Sequence, residues 1–169
     1  MPPGNNPAGD FERTVRAYGA DLYRYAYWLC RDRFVAEDLV QEAYTRAWKS
    51  WAELRDPRLV KAWLITILRN ERARMFARKR FDIADEDVLE LEIPAPSSAG
   101  DTLEVEQLIG LLPLVYREPL LLQILGGYRC DEIAGMLGIT EGAVMTRLTR
   151  ARQALRKHFP ADEQRRSAR

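Results

Sequence analysis

Arg147, Arg150, Arg152, Arg156 and Lys157 recur through one short segment near the C-terminus, interleaved with Glu141, Gly142, Met145, Thr146 and Thr149. Guanidinium and ammonium groups at such spacing neutralise phosphate oxygens, and short polar side chains beside them can hydrogen-bond base edges. The chemistry on offer is recognition of nucleic acid. Covalent chemistry has little to work with. His158 is the only histidine, and no paired-carboxylate, nucleophile or glycine-rich phosphate motif appears, so no catalytic role is expected. Cys30 and Cys130 stand far apart with no Cys-x-x-Cys or histidine spacing, which argues against a metal site or a disulfide and leaves no cofactor to expect.

Those cationic residues need a scaffold, and the stretch Tyr128 to Phe159 reads as a helix-turn-helix. Ile133, Ala134 and Leu137 fall at helical spacing, and Gly138 follows as the residue best able to end a helix in the left-handed conformation. Ile139 plugs the corner. Thr140 is a good N-cap for a second helix whose Val144, Leu148, Ala151 and Leu155 make one apolar stripe. Small Ala134 and Gly138 would let the helices cross closely, projecting the first turns of the second helix toward a major groove. There Glu141, Gly142, Met145, Thr146, Arg147, Thr149 and Arg150 are the candidates to meet bases and their flanking phosphates. A helical hairpin with a merely solvated basic face is the bland alternative.

Net charge is only +1, which would speak against nucleic acid if charge were evenly spread. It is not. Lys61 to Arg80 holds seven basic residues and one acidic, Asp82 to Glu106 nine acidic and none basic, and Thr140 to Arg169 eight basic and three acidic. Two basic blocks therefore flank an acidic one, giving two separate candidate sites for a phosphate backbone. No apolar run approaches the length of a membrane span, and MPPGNNPAG lacks the features of an export signal, so a cytoplasmic protein without membrane insertion is expected.

Further forward, Asp10 to Cys30 reads as a helix with Phe11, Val15, Tyr18, Leu22, Tyr25, Ala26 and Leu29 on a broad apolar face. Arg31-Asp32-Arg33 breaks it. A second helix is expected from about Val35 to Trp51, with Leu39, Ala43, Ala47 and Trp48 inward and Glu37, Asp38, Gln41 and Glu42 outward, acidic in its first turns as the helix dipole favours. Taken alone, that outer face reads as solvated. Asp56-Pro57 marks a turn, after which Trp63, Leu64, Ile67 and Leu68 begin a third helix. From Arg69 its exposed side turns basic, with Arg69, Arg72, Arg74, Arg78, Lys79 and Arg80 around Met75 and Phe76. Asn70 at the change offers a donor and an acceptor to a base edge.

Near-continuous acid and then IPAPSSAG over 81–101 favour an unpacked linker, and the domain boundary is expected there. Helices resume at Thr102 with Leu103, Leu108, Leu111 and Leu112 apolar, stop near Pro113, and resume from Glu118 to Leu125, which places Pro119 in a first turn. The fold class is all-α: two small helical domains, 10–80 and 102–160, joined by a flexible acidic linker, the second carrying the helix-turn-helix.

The ordered set AEDLVQEAYTRAW, KAWLITILRNERAR and LPLVYREPLLLQILGGYRCDEIAGMLGITEGAVMTRLTRARQALR resembles the extracytoplasmic-function sigma factors, small promoter-specificity subunits of bacterial RNA polymerase, over about Asp10 to Phe159. The resemblance implies that domain 10–80 recognises and opens the minus-ten element and 102–160 reads the minus-thirty-five element. It implies that Asp38, Gln41 and Glu42 dock on the β′ coiled coil of core polymerase, with the β flap a further contact. Asn70 with Arg69, Arg72, Arg74 and Arg78 would then hold the melted minus-ten strand. Glu141, Gly142, Met145, Thr146, Arg147, Thr149 and Arg150 would face minus-thirty-five DNA, Met145 standing where the family is often basic. An anti-sigma partner is implied too. Two other readings of the residues stay open: a helix-turn-helix regulator whose front half senses a ligand or partner, and a helical protein that binds RNA or single strands.

Overall fold

The computed structural model describes residues 6–80 and 107–157, with the side chains of 78–80 outside that description. The chain divides into two compact units, Met1–Glu86 and Asp87–Arg169. The expected linker 81–101, the helix start at Thr102, Leu103 and the residues from His158 onward lie outside the described residues.

The first unit is a three-helix bundle. Helix α1, Pro7–Cys30, opens with the Asn6 side chain accepting the Gly9 N–H at 3.2 Å and Pro7 at the first helical position, where a missing N–H costs nothing. It ends at Arg31, which takes φ 56° and donates its N–H to the Tyr27 carbonyl at 2.7 Å. Asp32 then caps α2, Arg33–Lys49, by accepting the Val35 N–H at 3.0 Å. The helix thus starts earlier than the expected Val35. Its first turn holds no acid, and Asp32 is the carboxylate at the positive end of the dipole. Two 3-10 turns, Trp51–Glu53 and Pro57–Leu59, lead into α3, Val60–Arg80.

Burial follows the apolar periodicity. Leu22, Tyr25, Ala26 and Leu29 of α1 meet Ala36, Leu39, Ala43 and Ala47 of α2 and Leu64, Ile67 and Leu68 of α3 in one core. A fully buried leucine contributes about 1.5–3 kcal/mol, so this cluster dominates the unit's stability. Phe11, Trp48, Trp51 and Trp63 form an edge-to-face chain with centroid separations of 5.2, 5.1 and 6.0 Å at one flank. Trp48 departs from expectation. It is 48% exposed instead of pointing inward, because its position lies on the far side of α2 from the buried Leu39.

The second unit contains α4 (described over 107–111), α5 (Leu114–Ile124), α6 (Cys130–Leu137) and α7 (Glu141–Arg156). Leu108 and Leu112 are buried as expected, whereas Leu111 is 42% exposed. Helix α5 begins at Leu114, not Glu118, so Pro119 sits past its first turn and removes a hydrogen bond the helix would otherwise make. Burial of Pro119 with Leu120, Leu121 and Leu122 compensates, and tertiary packing overrides the local signal. Gly127, at φ 68°, turns the chain after α5.

Gly138 adopts φ 65° and closes α6, as the sequence led us to expect, with the Ile139 N–H reaching the Ala134 carbonyl at 3.1 Å. Close helix crossing is not its role. A Cβ at Gly138 would meet nothing within 4 Å, so the backbone conformation alone explains the glycine. Among the described residues, no helix is long and apolar enough to cross a membrane. Cys30 and Cys130 are half-buried, and neither forms a disulfide among the described residues.

Candidate nucleic-acid interface

The second unit presents α7 from a well-fixed base. The Thr140 hydroxyl accepts the Ala143 N–H at 3.2 Å, and Val144, Leu148 and Ala151 are buried against α5 and α6. The opposite face is open. Glu141, Gly142, Met145, Thr146, Thr149 and Arg150 are exposed and Arg147 is half-buried, so the expected recognition residues come together along the first turns of one helix. A Cβ on Gly142 would meet nothing within 4 Å. Thr146 and Thr149 donate their hydroxyls to the Gly142 and Met145 carbonyls, both at 2.9 Å. In that arrangement they present acceptor lone pairs and methyl groups outward.

Two partners on α5 escaped sequence reasoning. Tyr116 accepts a hydrogen bond from Arg150 at 3.4 Å, and Gln123 accepts one from Arg152. Both pairs join residues remote in sequence and neither breaks a local pattern, so no sequence signal could have found them. At the start of α6, the Arg129 N–H donates to Glu132 Oε2 at 2.8 Å while its guanidinium grips Asp131 at 3.1 and 2.5 Å. The hydrogen bond from Arg129 holds the Asp131 carboxyl below its ordinary range, and the same pairing raises Arg129.

On α3 the expected basic stripe is divided. Asn70 and Arg74 are exposed at four-residue spacing and share a face. Arg69 and Arg72 are half-buried, and the Arg72 guanidinium lies 4.5 Å over the Phe76 ring with its Nε enclosed and lacking a hydrogen-bond partner. The Arg78 side chain lies outside the described residues. Glu71, 9% exposed, accepts from Arg46 Nε at 3.0 Å and from Arg74 at 2.5 Å, so one arginine of the stripe is tied to the bundle. On α2, Asp38, Gln41 and Glu42 are all exposed while Leu39, Val40 and Ala43 are buried, which puts the three polar groups together on the outer face.

Residues 14–81 match the family model described as Sigma-70 region 2, and residues 102–155 match Sigma-70, region 4. The chain is 35% identical over 146 residues to the ECF RNA polymerase sigma factor SigL of Mycobacterium tuberculosis, covering 82% of this chain and 82% of that one. The chain belongs to the extracytoplasmic-function sigma factors of the sigma-70 family. This sigma factor is also 33% identical over 160 residues to the probable RNA polymerase sigma factor RfaY of Xanthomonas campestris; 88% of the chain aligns, spanning 40% of that longer protein. In structure it is similar to the sigma factor RpoE of Bartonella quintana, solved in complex with the anti-sigma factor NepR, with TM-score 0.70 and 27% identity over 88% of this chain and 95% of that one. The activity of a sigma factor is to direct transcription initiation by RNA polymerase, without enzymatic chemistry of its own. The region 2 match covers the front half that a simple helix-turn-helix regulator would have used for sensing.

Proposed function

We propose that the outer face of α2, with Asp38, Gln41 and Glu42, docks this sigma factor on the β′ coiled coil of core polymerase. The observation that carries this is the division of α2: Ala36, Leu39, Val40, Ala43 and Ala47 are buried, and these three polar residues are exposed together on the other side. Domain 10–80 then engages the minus-ten element, with Asn70 on the outer face of α3 meeting the opened strand and Arg74, held by Glu71, beside it. The half-buried Arg69 and Arg72 border the contact, and Arg78 is a further candidate for it. Domain 102–160 docks on the β flap and reads minus-thirty-five DNA, with Gly142, Met145, Thr146, Arg147 and Thr149 at base edges and Glu141 and Arg150 at the margin. The stretch 81–101 links the two. Likeness to a relative captured with an anti-sigma factor supports a similar inhibitory partner here, acting in the cytoplasm.

The test is Asp38→Arg combined with Glu42→Arg, both exposed, in the full-length chain. Co-elution with core polymerase should be lost while the far-ultraviolet circular dichroism spectrum stays helical. Stoichiometric co-elution of the doubly reversed variant would sink the docking assignment.

A further inference from the structure

Helix α2 leaves a longer surface uncovered than its three polar residues occupy. Ala36, Leu39, Val40, Ala43 and Ala47 are buried. On the other side Phe34, Asp38, Gln41, Thr45 and Trp48 follow one another at four- and three-residue steps, a single stripe on a helix of about 3.6 residues per turn. Glu37 and Glu42 flank it. Its ends are aromatic: Phe34 is 77% exposed, the most exposed large apolar side chain among the described residues, and Trp48 stands at the far end. At roughly 1.5 Å per residue the two lie about 21 Å apart along the helix.

Nothing in the fold calls for a phenyl ring at the second position of α2. Helix starts favour short polar or acidic residues there, and a ring this exposed adds little to the core. Its base is nevertheless firmly held. Asp32 caps the turn beneath it, and Arg33 pairs with Glu37 at 3.0 Å alongside. With the backbone so held, only the two side-chain torsions of the ring are left to be ordered on binding, a small cost for an interface anchor. Trp48 is already steadied by its contact with Phe11.

We propose that Phe34 is an aromatic anchor with which this sigma factor seats the acidic face of α2 on core polymerase, Trp48 closing the other end of the same contact. The inference rests on the docking reading above. Charge and continuity identify the occupant: the stripe's centre is acidic, so its complement is a basic surface with apolar recesses at each end, and Phe34 is one turn from Asp38. Nucleic acid or an anionic membrane would be repelled by Asp38 and Glu42.

The experiment measures equilibrium binding of full-length protein to core polymerase at two salt concentrations. Phe34→Ala should weaken binding tenfold or more, with an unchanged melting curve and a penalty that persists at the higher salt, since apolar contact is not screened. Phe34→Leu, which keeps an apolar side chain, should bind within about threefold of the parent, as expected for an apolar anchor. Binding by Phe34→Ala within twofold of the parent, while Asp38→Arg with Glu42→Arg abolishes it, would overturn the anchor and leave the docking face standing. No loss in either variant would overturn both. Loss in Phe34→Ala alone would overturn the claim that ring and carboxylates belong to one contact.

Discussion

Glu71 of α3 accepts a hydrogen bond from Arg46 Nε of α2 at 3.0 Å, joining two helices across 25 residues of sequence. The carboxylate is nearly buried while its partner is half exposed, so the pair ties α2 to α3 from inside. Arg74 completes the cluster from the next turn.

Glu71→Ala would leave Arg46 and Arg74 without their shared acceptor. We expect the first unit to lose about 1–3 kcal/mol in urea denaturation, the range for removing a hydrogen-bonded buried partner, discounted because both arginines can turn to water. Glu71→Gln, which keeps an acceptor, should lose less. Equal stability of all three proteins would show that the cluster adds nothing.

Gly138 holds φ 65° with open space where a Cβ would go. Gly138→Ala should therefore cost only the backbone penalty of a left-handed L-residue, about 1–2 kcal/mol, without repacking. Thermal denaturation measures the cost. A nuclear magnetic resonance spectrum with shifts confined to residues near the corner would distinguish strain from a packing defect.

Arg147 and Arg156 lie on one helix but at different distances from its start. Arg147→Ala should change which minus-thirty-five bases are tolerated, costing roughly 1–3 kcal/mol on the preferred sequence if its contact is bidentate. Arg156→Ala should weaken all sequences alike and flatten the salt dependence. Promoter-variant binding across a salt series would separate the two, and indistinguishable profiles would refute the division.

Asp131 titrates below its ordinary value because Arg129 donates to it. A depressed carboxyl stabilises the folded state above its unfolded pKa, and that contribution disappears as the pH falls through the folded pKa. Carboxyl-carbon resonances should accordingly show Asp131 protonating below 3.8 in the parent, and moving back toward 3.8 in Arg129→Ala. An unmoved midpoint would mean the pair does not persist in solution.

Punctuation in the sequence was the best guide to the fold. Gly138 and Thr140 located the corner, and Arg31-Asp32 the break between α1 and α2, because each acts through its own backbone and near neighbours. Pro119 misled for the complementary reason. Its local preference for a first turn is outweighed by the burial of Leu120, Leu121 and Leu122, a tertiary effect invisible in spacing. At the candidate surfaces, the exposure of Asp38, Gln41, Glu42 and Asn70 was legible from periodicity. The engagement of Arg74 by Glu71, of Arg72 by Phe76 and of Arg150 by Tyr116 was not, since a count of basic residues cannot say which are already occupied.

Gly142, Met145, Thr146 and Thr149 are exposed on α7, while Val144, Leu148 and Ala151 of the same helix carry its packing. Substitution at the first set leaves the second untouched, and at Gly142 even an added side chain finds open space. Under the proposed reading of α7, descendants of this gene can drift to new promoters by changes that leave the packed core intact. Duplicated copies could then diverge into separate regulatory circuits without first acquiring compensating mutations in the scaffold.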